Sequence, residues 1–229
     1  MAAFHPQFED LPKEFAVFPL SGVLMLPRGK LPLNIFERRY LAMVMDSLAT
    51  GRMFGMIQPD PHAPAPEAGR GGSDEPGLYR VGCLGRVSSF SETDDGRLLV
   101  TLTGMVRFTV EAELAGHRGY RRVRGDFSRY FNDMDMDMAL ATAEIEREKL
   151  LTALRGYFAR RNVDANWDAI RDLSDDGLIV TLSMACPFEA VEKQALLEAP
   201  TDTDRAATLL ALLQMGAAGP DAPPGHSVS

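Results

Sequence analysis

The spacing of apolar residues changes once along this chain, and that change limits the folds open to it. Up to about residue 130 the apolar residues form short runs or alternate with polar ones, the two-residue period of strands; beyond it they recur at three and four, the period of helices. Phe15-Ala16-Val17-Phe18, ended by Pro19, reads as a buried strand, and Met53 to Ile57 as another. Leu78 to Leu84, Arg86 to Phe90, Leu98 to Leu102, Val106 to Val110 and Tyr120 to Phe127 continue the series. Asp94-Asp95-Gly96 is a hairpin turn, because glycine supplies the positive φ that such a turn needs. Pro27, Gly29 and Pro32 punctuate loops, and residues 60–77, rich in Pro, Gly, Ala and acid, read as a surface loop. One helix interrupts the strands, Glu37 to Thr50, with Tyr40, Leu41, Val44 and Leu48 on its apolar side and Gly51 at its end. Many short strands at this spacing predict a barrel or a tightly coiled sheet.

The second half predicts helices. Met138 to Arg160 carries Ala143, Leu150, Leu151, Leu154, Tyr157 and Phe158 near one stripe, and Asn162 to Asn166 breaks it. Ser174-Asp175-Asp176 is a capped first turn for a helix holding Leu178, Ile179 and Leu182. Pro187 suits the first turn of the next, and Pro200 ends it. Thr201 and Asp204 have capping-box spacing ahead of Ala206 to Met215. The expected architecture is α+β: a β-rich lobe over 1–131, a helical subdomain over 132–216 and a tail over 217–229.

Searching for chemistry removes most enzyme classes. Gly29-Lys30 is followed by Leu31, so no phosphate loop with its magnesium-binding hydroxyl exists there. Neither a Gly-x-Ser-x-Gly elbow nor a His-Glu-x-x-His pair occurs. His5, His62, His117 and His226 are scattered, and Cys83 and Cys186 are far apart, which reads as two buried thiols rather than a metal or disulfide framework. Asp133, Asp135, Asp137 and Glu144 have the acidic spacing of a calcium loop, but Met138 stands where the sharp turn demands glycine. Ser183 and Lys193 lack any flanking signature of a nucleophile and its base. No catalytic residue, metal or cofactor is therefore expected. A start without a basic-then-apolar segment, and no apolar run of membrane length, lead to the expectation of a cytoplasmic protein.

One run could serve recognition. His117 to Tyr130 holds Arg118, Arg121, Arg122, Arg124 and Arg129 with Tyr120 and Tyr130 between them. On a strand, Arg122 and Arg124 share a face with Tyr120, a combination that suits phosphates and stacked bases. The bland alternative is an edge strand whose arginines pair with acids and block sheet-to-sheet association. A net charge of −8, from 32 acids against 24 bases, supplies those partners and gives no overall pull toward nucleic acid.

Several motifs together resemble the amino-terminal substrate-binding domain of Lon proteases. They are Phe18-Pro19-Leu20, Leu26-Pro27 and the run Leu31-Pro32-Leu33-Asn34-Ile35-Phe36-Glu37-Arg38-Arg39-Tyr40, then Phe54-Gly55-Met56-Ile57. Gly82-Cys83-Leu84-Gly85, Gly104-Met105-Val106-Arg107-Phe108 and Glu192-Lys193-Gln194-Ala195-Leu196-Leu197-Glu198 add support. The resemblance implies a PUA-like β pseudo-barrel followed by a helical subdomain, binding unfolded or tagged polypeptide. The ATPase motor and protease domain of Lon have no counterpart in these 229 residues, so it implies no peptidase activity. No site residue carries over from the family. The candidate partner-binding residues are Arg38, Arg39, Tyr120, Arg122 and Arg124; the alternative partner is RNA held by the Arg118 to Arg129 run.

Overall fold

In the computed structural model, residues 6–64, 76–134 and 146–218 are described. The described strands fall within residues 14–126, and all but one of the described α-helices follow them. β1 (Glu14–Pro19), β3 (Met53–Ile57), β6 (Val81–Glu92), β7 (Leu98–His117) and β8 (Tyr120–Asp126) close on themselves. β1 runs parallel to β3 and antiparallel to β8, and β7 pairs with both β6 and β8. Closure leaves these five without a common open edge. β4 (Pro59–Asp60) and β5 (Gly77–Leu78) form a separate two-stranded ladder. Phe15, Phe108 and Phe127 meet inside, ring centroids 4.9–6.4 Å apart.

β6 and β7 each join what the sequence divides into two strands. The register shift between Leu84 and Gly85 leaves Met105 of β7 as the extra residue, and that between Val87 and Ser89 leaves Ser88 of β6, so each strand bends without ending. β7 passes unbroken through Gly104, where a side chain has no room: a Cβ there would overlap the Leu26 carbonyl oxygen and stand 2.8 Å from its carbon. The upper halves of β6 and β7 project beyond the barrel as an arm, completed by β2 (Lys30–Ile35) on the β7 edge.

Pro32 thus lies in a strand, not a loop. The reason is the register. Arg28 N–H donates to Gly104 O and Gly104 N–H to Gly29 O, both at 2.8 Å. This is a bulge whose first residue takes the left-handed conformation, here Arg28 at φ +68°. Counting on from that bonded pair, antiparallel alternation turns the backbone of Lys30, Pro32 and Asn34 away from β7. The missing N–H of Pro32 therefore costs the sheet no bond.

α1 (Arg38–Ala49) packs beside the barrel. Its buried stripe is Tyr40, Met43, Val44 and Ser47, with Leu41 and Leu48 at the margins, so the face is turned slightly from the one the sequence suggests. The helical subdomain holds α2 (Arg147–Arg161), α3 (Trp167–Asp172), α4 (Asp175–Ala185), α5 (Ala190–Glu198) and α6 (Asp202–Ala218). Ser174 caps α4, its Oγ accepting from Gly177 N–H at 3.2 Å, as expected. Thr201 and Asp204 close the expected capping box on α6. α5 does not begin at Pro187: Glu189 is its N-cap and closes a capping box with Glu192, whose carboxylate accepts from Glu189 N–H at 2.8 Å, so the proline lies ahead of the helix. α6 extends through Ala218, so 217–218 are helical; 219–229, like 135–145, lie outside the described residues. A single apolar cluster spans barrel and helices.

Candidate functional site

The arm carries the best-placed exposed apolar surface. Eight large apolar side chains stand exposed among the described residues, and Phe36 (62%), Leu99 (46%) and Phe90 (53%) are on or next to the arm. Leu99 pairs with Asn34 of β2 on one side and Ser91 of β6 on the other. Alternation puts Arg97 and Leu99 on one face, and the Arg97 guanidinium lies over the Phe36 ring at 5.6 Å. Phe90 pairs with Val100, whose side chain is buried, so Phe90 points to the opposite face near the hairpin tip. Beside the arm a groove of about 420 Å³ runs between β2 and the start of α1, lined by Phe18, Leu20, Val23, Leu31, Pro32 and Tyr40 among others. Phe36 and Leu99 thus share one side of the arm and Phe90 takes the other, and of the three Phe36 lines the groove; exposed apolar side chains beside a groove are what a protein partner buries.

The residues singled out by sequence fall in two places. Arg38 and Arg39 open α1 next to that groove; Arg38 is exposed, whereas Arg39 bonds Glu37 at 3.1 Å and covers the Tyr40 ring at 4.6 Å. Tyr120, Arg122 and Arg124 do share a face of β8, but each is occupied. Tyr120 is buried and donates its hydroxyl to Asp46 at 2.9 Å; burial, then that bond, pushes its phenol up to about 12. Arg124 bonds Glu14 at 2.7 Å, and Arg122 stands 3.7 Å from the same carboxylate. Arg118 takes Asp46, and Arg121 is buried against Glu113. The pairing with acids is as the bland reading expects. The edge is not: β8 has β1 on one side and β7 on the other.

Other candidates are absorbed by the fold. Asp133 is no calcium-loop ligand in the described structure, since it holds Arg107; Asp135, Asp137 and Glu144 lie outside the described residues, as do His5 and His226. His62 is exposed, and His117 Nε2 stands 3.8 Å from Asp46. Lys193 Nζ donates to the Gly22 and Met184 carbonyls, while Ser183 is buried. Among the described residues no group of three or more His, Cys, Asp or Glu is placed to hold a metal, and no helix is long and apolar enough to cross a membrane.

Sequence reasoning missed the arginines that join the two parts of the chain. Arg107 is 5% exposed and grips Asp133 (10%) through Nε at 2.9 Å and Nη2 at 2.7 Å. Its Nη1 donates to Leu197 O and Ala199 O at the end of α5, and its plane lies 4.5 Å from the Tyr130 ring. Arg205 donates to Leu196 O and the Asp202 carboxylate, and Arg28 bridges Asp176 and Asp202. The Arg-Phe pair of Arg107-Phe108 was a signal, but it named no partner.

A barrel with a projecting arm, tied by arginines to a helical subdomain, is the class this architecture defines. A family model described as the ATP-dependent protease La (LON) substrate-binding domain matches residues 14–215, and the chain belongs to that family. Among solved structures it is similar to a Lon N-terminal domain protein from Xanthomonas campestris, with TM-score 0.56 and 23% identity over 86% of this chain and 97% of that one. It is also similar to the N-terminal domain of a Mycobacterium avium complex Lon protease, with TM-score 0.55 and 16% identity over 88% and 98%. A Lon protease 2 of Myxococcus xanthus is 25% identical over 118 residues, and a Lon protease of Anaeromyxobacter dehalogenans 27% over 116. The matched stretches cover about half of this chain and 13% of each of those two relatives.

Proposed function

We propose that this chain is a non-catalytic recognition module for unfolded or tagged polypeptide, acting in the cytoplasm as an adaptor in protein quality control. In this reading residues 1–131 form the recognition lobe and 132–218 the supporting helical subdomain. The observation that carries it is the placement of exposed Phe36 and Leu99 on one side of the arm, with Phe36 lining the apolar groove beside it. The membership of a substrate-binding family supports the same class of ligand. RNA is disfavoured because Arg118, Arg121, Arg122 and Arg124 already face carboxylates.

The test is fluorescence anisotropy with a labelled unfolded polypeptide and, in parallel, single-stranded RNA across a salt series. Saturable polypeptide binding is expected, weakened about tenfold or more by Phe36→Ser with Leu99→Ser, because truncating apolar anchors costs roughly 1–2 kcal/mol each or more. Binding unchanged in that double variant moves the site off the arm. RNA binding that falls steeply with salt, without polypeptide binding, would replace the reading altogether.

A further inference from the structure

A second cavity lies where the β lobe meets the helices. It has a volume of about 310 Å³ and is enclosed by Pro27 and Arg28, by Asn132 and Asp133, and by the start of α6 from Pro200 to Arg205, with Arg107 at its wall. Three guanidinium groups line it, those of Arg28, Arg107 and Arg205, against two carboxylates, those of Asp133 and Asp202. Asp176, just outside the lining, also bonds Arg28 at 2.7 Å, so three carboxylates answer the three guanidinium groups around the cavity. The 17-residue helix α6 begins there, adding the partial positive charge of its amino terminus.

The donors do not balance. Arg205 is 2% exposed, and its Nε and Nη1 are taken, but Nη2 is buried with no partner among the described residues. Arg28 Nε is buried and unpartnered in the same way, although its Nη2 serves two carboxylates. Burial first, and then the neighbouring Arg107 charge, hold the Arg205 guanidinium below its ordinary range. Buried N–H groups of a cation without an acceptor are costly, and a charged acceptor offsets that cost better than water does. Arginines at a helix start are also the arrangement by which proteins hold small oxyanions.

We propose that this cavity is an oxyanion site, taking a carboxylate or a phosphate group between Arg28, Arg205 and the first turn of α6. The reading is independent of polypeptide capture by the arm. The carboxylate could come from a chain terminus and the phosphate from the free ion, and the two sources are separable.

The test measures thermal unfolding and calorimetric titration of the full chain at constant ionic strength. The probes are inorganic phosphate and a short peptide as free acid and as carboxy-terminal amide, with chloride as the reference. Phosphate, the free-acid peptide, or both should raise the melting temperature above the chloride control. Binding of the acid without the amide identifies a carboxylate terminus; binding of phosphate alone identifies phosphate. Asn132→Asp and Thr203→Glu each place a negative charge at an exposed rim position without touching the arginines, and each should weaken binding at least about tenfold. Two rim variants guard against one of them misfolding, which circular dichroism would reveal. No stabilisation by either probe overturns the proposal, and so does equal affinity in both folded variants.

Discussion

Replacing Arg107 by methionine should remove a large share of this protein's stability. The substitution keeps much of the volume and deletes the charge. Asp133, 10% exposed, would retain only the N–H of residue 107 as a bonded donor among the contacts described, and Leu197 O and Ala199 O would lose theirs. Breaking a buried ion pair from one side costs about 3–5 kcal/mol, since the charge left behind has lost both water and partner. Against a total of roughly 5–15 kcal/mol for a folded domain, that is about a fifth or more. At about 2–4 °C per kcal/mol for a chain of this size, the melting temperature should fall by on the order of 10 °C. Urea unfolding is the assay, followed by far-ultraviolet circular dichroism and by the fluorescence of Trp167, which reports on the helical subdomain. Both signals should shift to a lower midpoint with an unchanged slope. Asp133→Asn in the Arg107→Met background should cost less than the sum of the two single changes, by about 1–3 kcal/mol. A single-variant loss under about 1 kcal/mol, or additivity of the pair within about 0.5 kcal/mol, would refute the account of Arg107 as a buried tie.

Gly104→Ala should destabilise by about 1–3 kcal/mol, because the new methyl meets the Leu26 backbone rather than a movable side chain; a neutral midpoint in urea would contradict it. Burial pushes the Cys186 thiol up to about 12 and the Cys83 thiol higher still, so neither should react with a thiol reagent at pH 8 until urea unfolds the chain; fast labelling of native protein would count against both placements. Asp202 and Asp176 share Arg28 but should act oppositely with pH. Burial works to raise Asp202, yet Arg205 and Arg28 outweigh it and hold the carboxyl low, so its stabilisation is present above the unfolded value near 3.8 and is lost as pH falls through the folded one. Burial outweighs Arg28 at Asp176 and raises it, so its contribution is present below 3.8 and is lost as pH rises through the folded value. At pH 7 Asp202→Asn should therefore cost more stability than Asp176→Asn, and the reverse order in urea midpoints would refute the assignment.

What the sequence made legible was whatever local chemistry decides. The hairpin at Gly96, the cap at Ser174 and the box at Thr201 and Asp204 each need only a few neighbouring residues, and each is in place. The lengths of β6 and β7 were not legible, because a bulge looks like a strand end until the partner strand is known. The buried arginines were hidden for a related reason. In Val106-Arg107-Phe108 the alternation marks Arg107 as outward, and it is outward from the barrel; all three are nonetheless buried, because Asp133 and the end of α5 cover that face. Arg205 stands beside Asp202 and Asp204 in the first turn of α6, yet it is buried against Leu196 O. The recognition residues proposed from the basic run met the opposite fate, since acids from β1, α1 and β7 occupy them.

The division of labour among side chains follows from where the helices end. Asp176 and Asp202 sit in the first turns of α4 and α6, where the helix dipole favours negative charge, and together they give the β lobe's Arg28 a reason to hold a left-handed backbone. Arg107 meets the carbonyl end of α5, where the dipole favours positive charge. The helices are thus fastened to the barrel by contacts that need both position and sign, which apolar packing alone does not specify. Apolar side chains carry no such requirement of sign, and Leu99 stands exposed on the same strand whose Leu98, Val100 and Leu102 fill the core. Arginine joins the barrel to the helices while Phe36 and Leu99 stay exposed, the reverse of the assignment that composition along the Arg118 to Arg129 run would suggest.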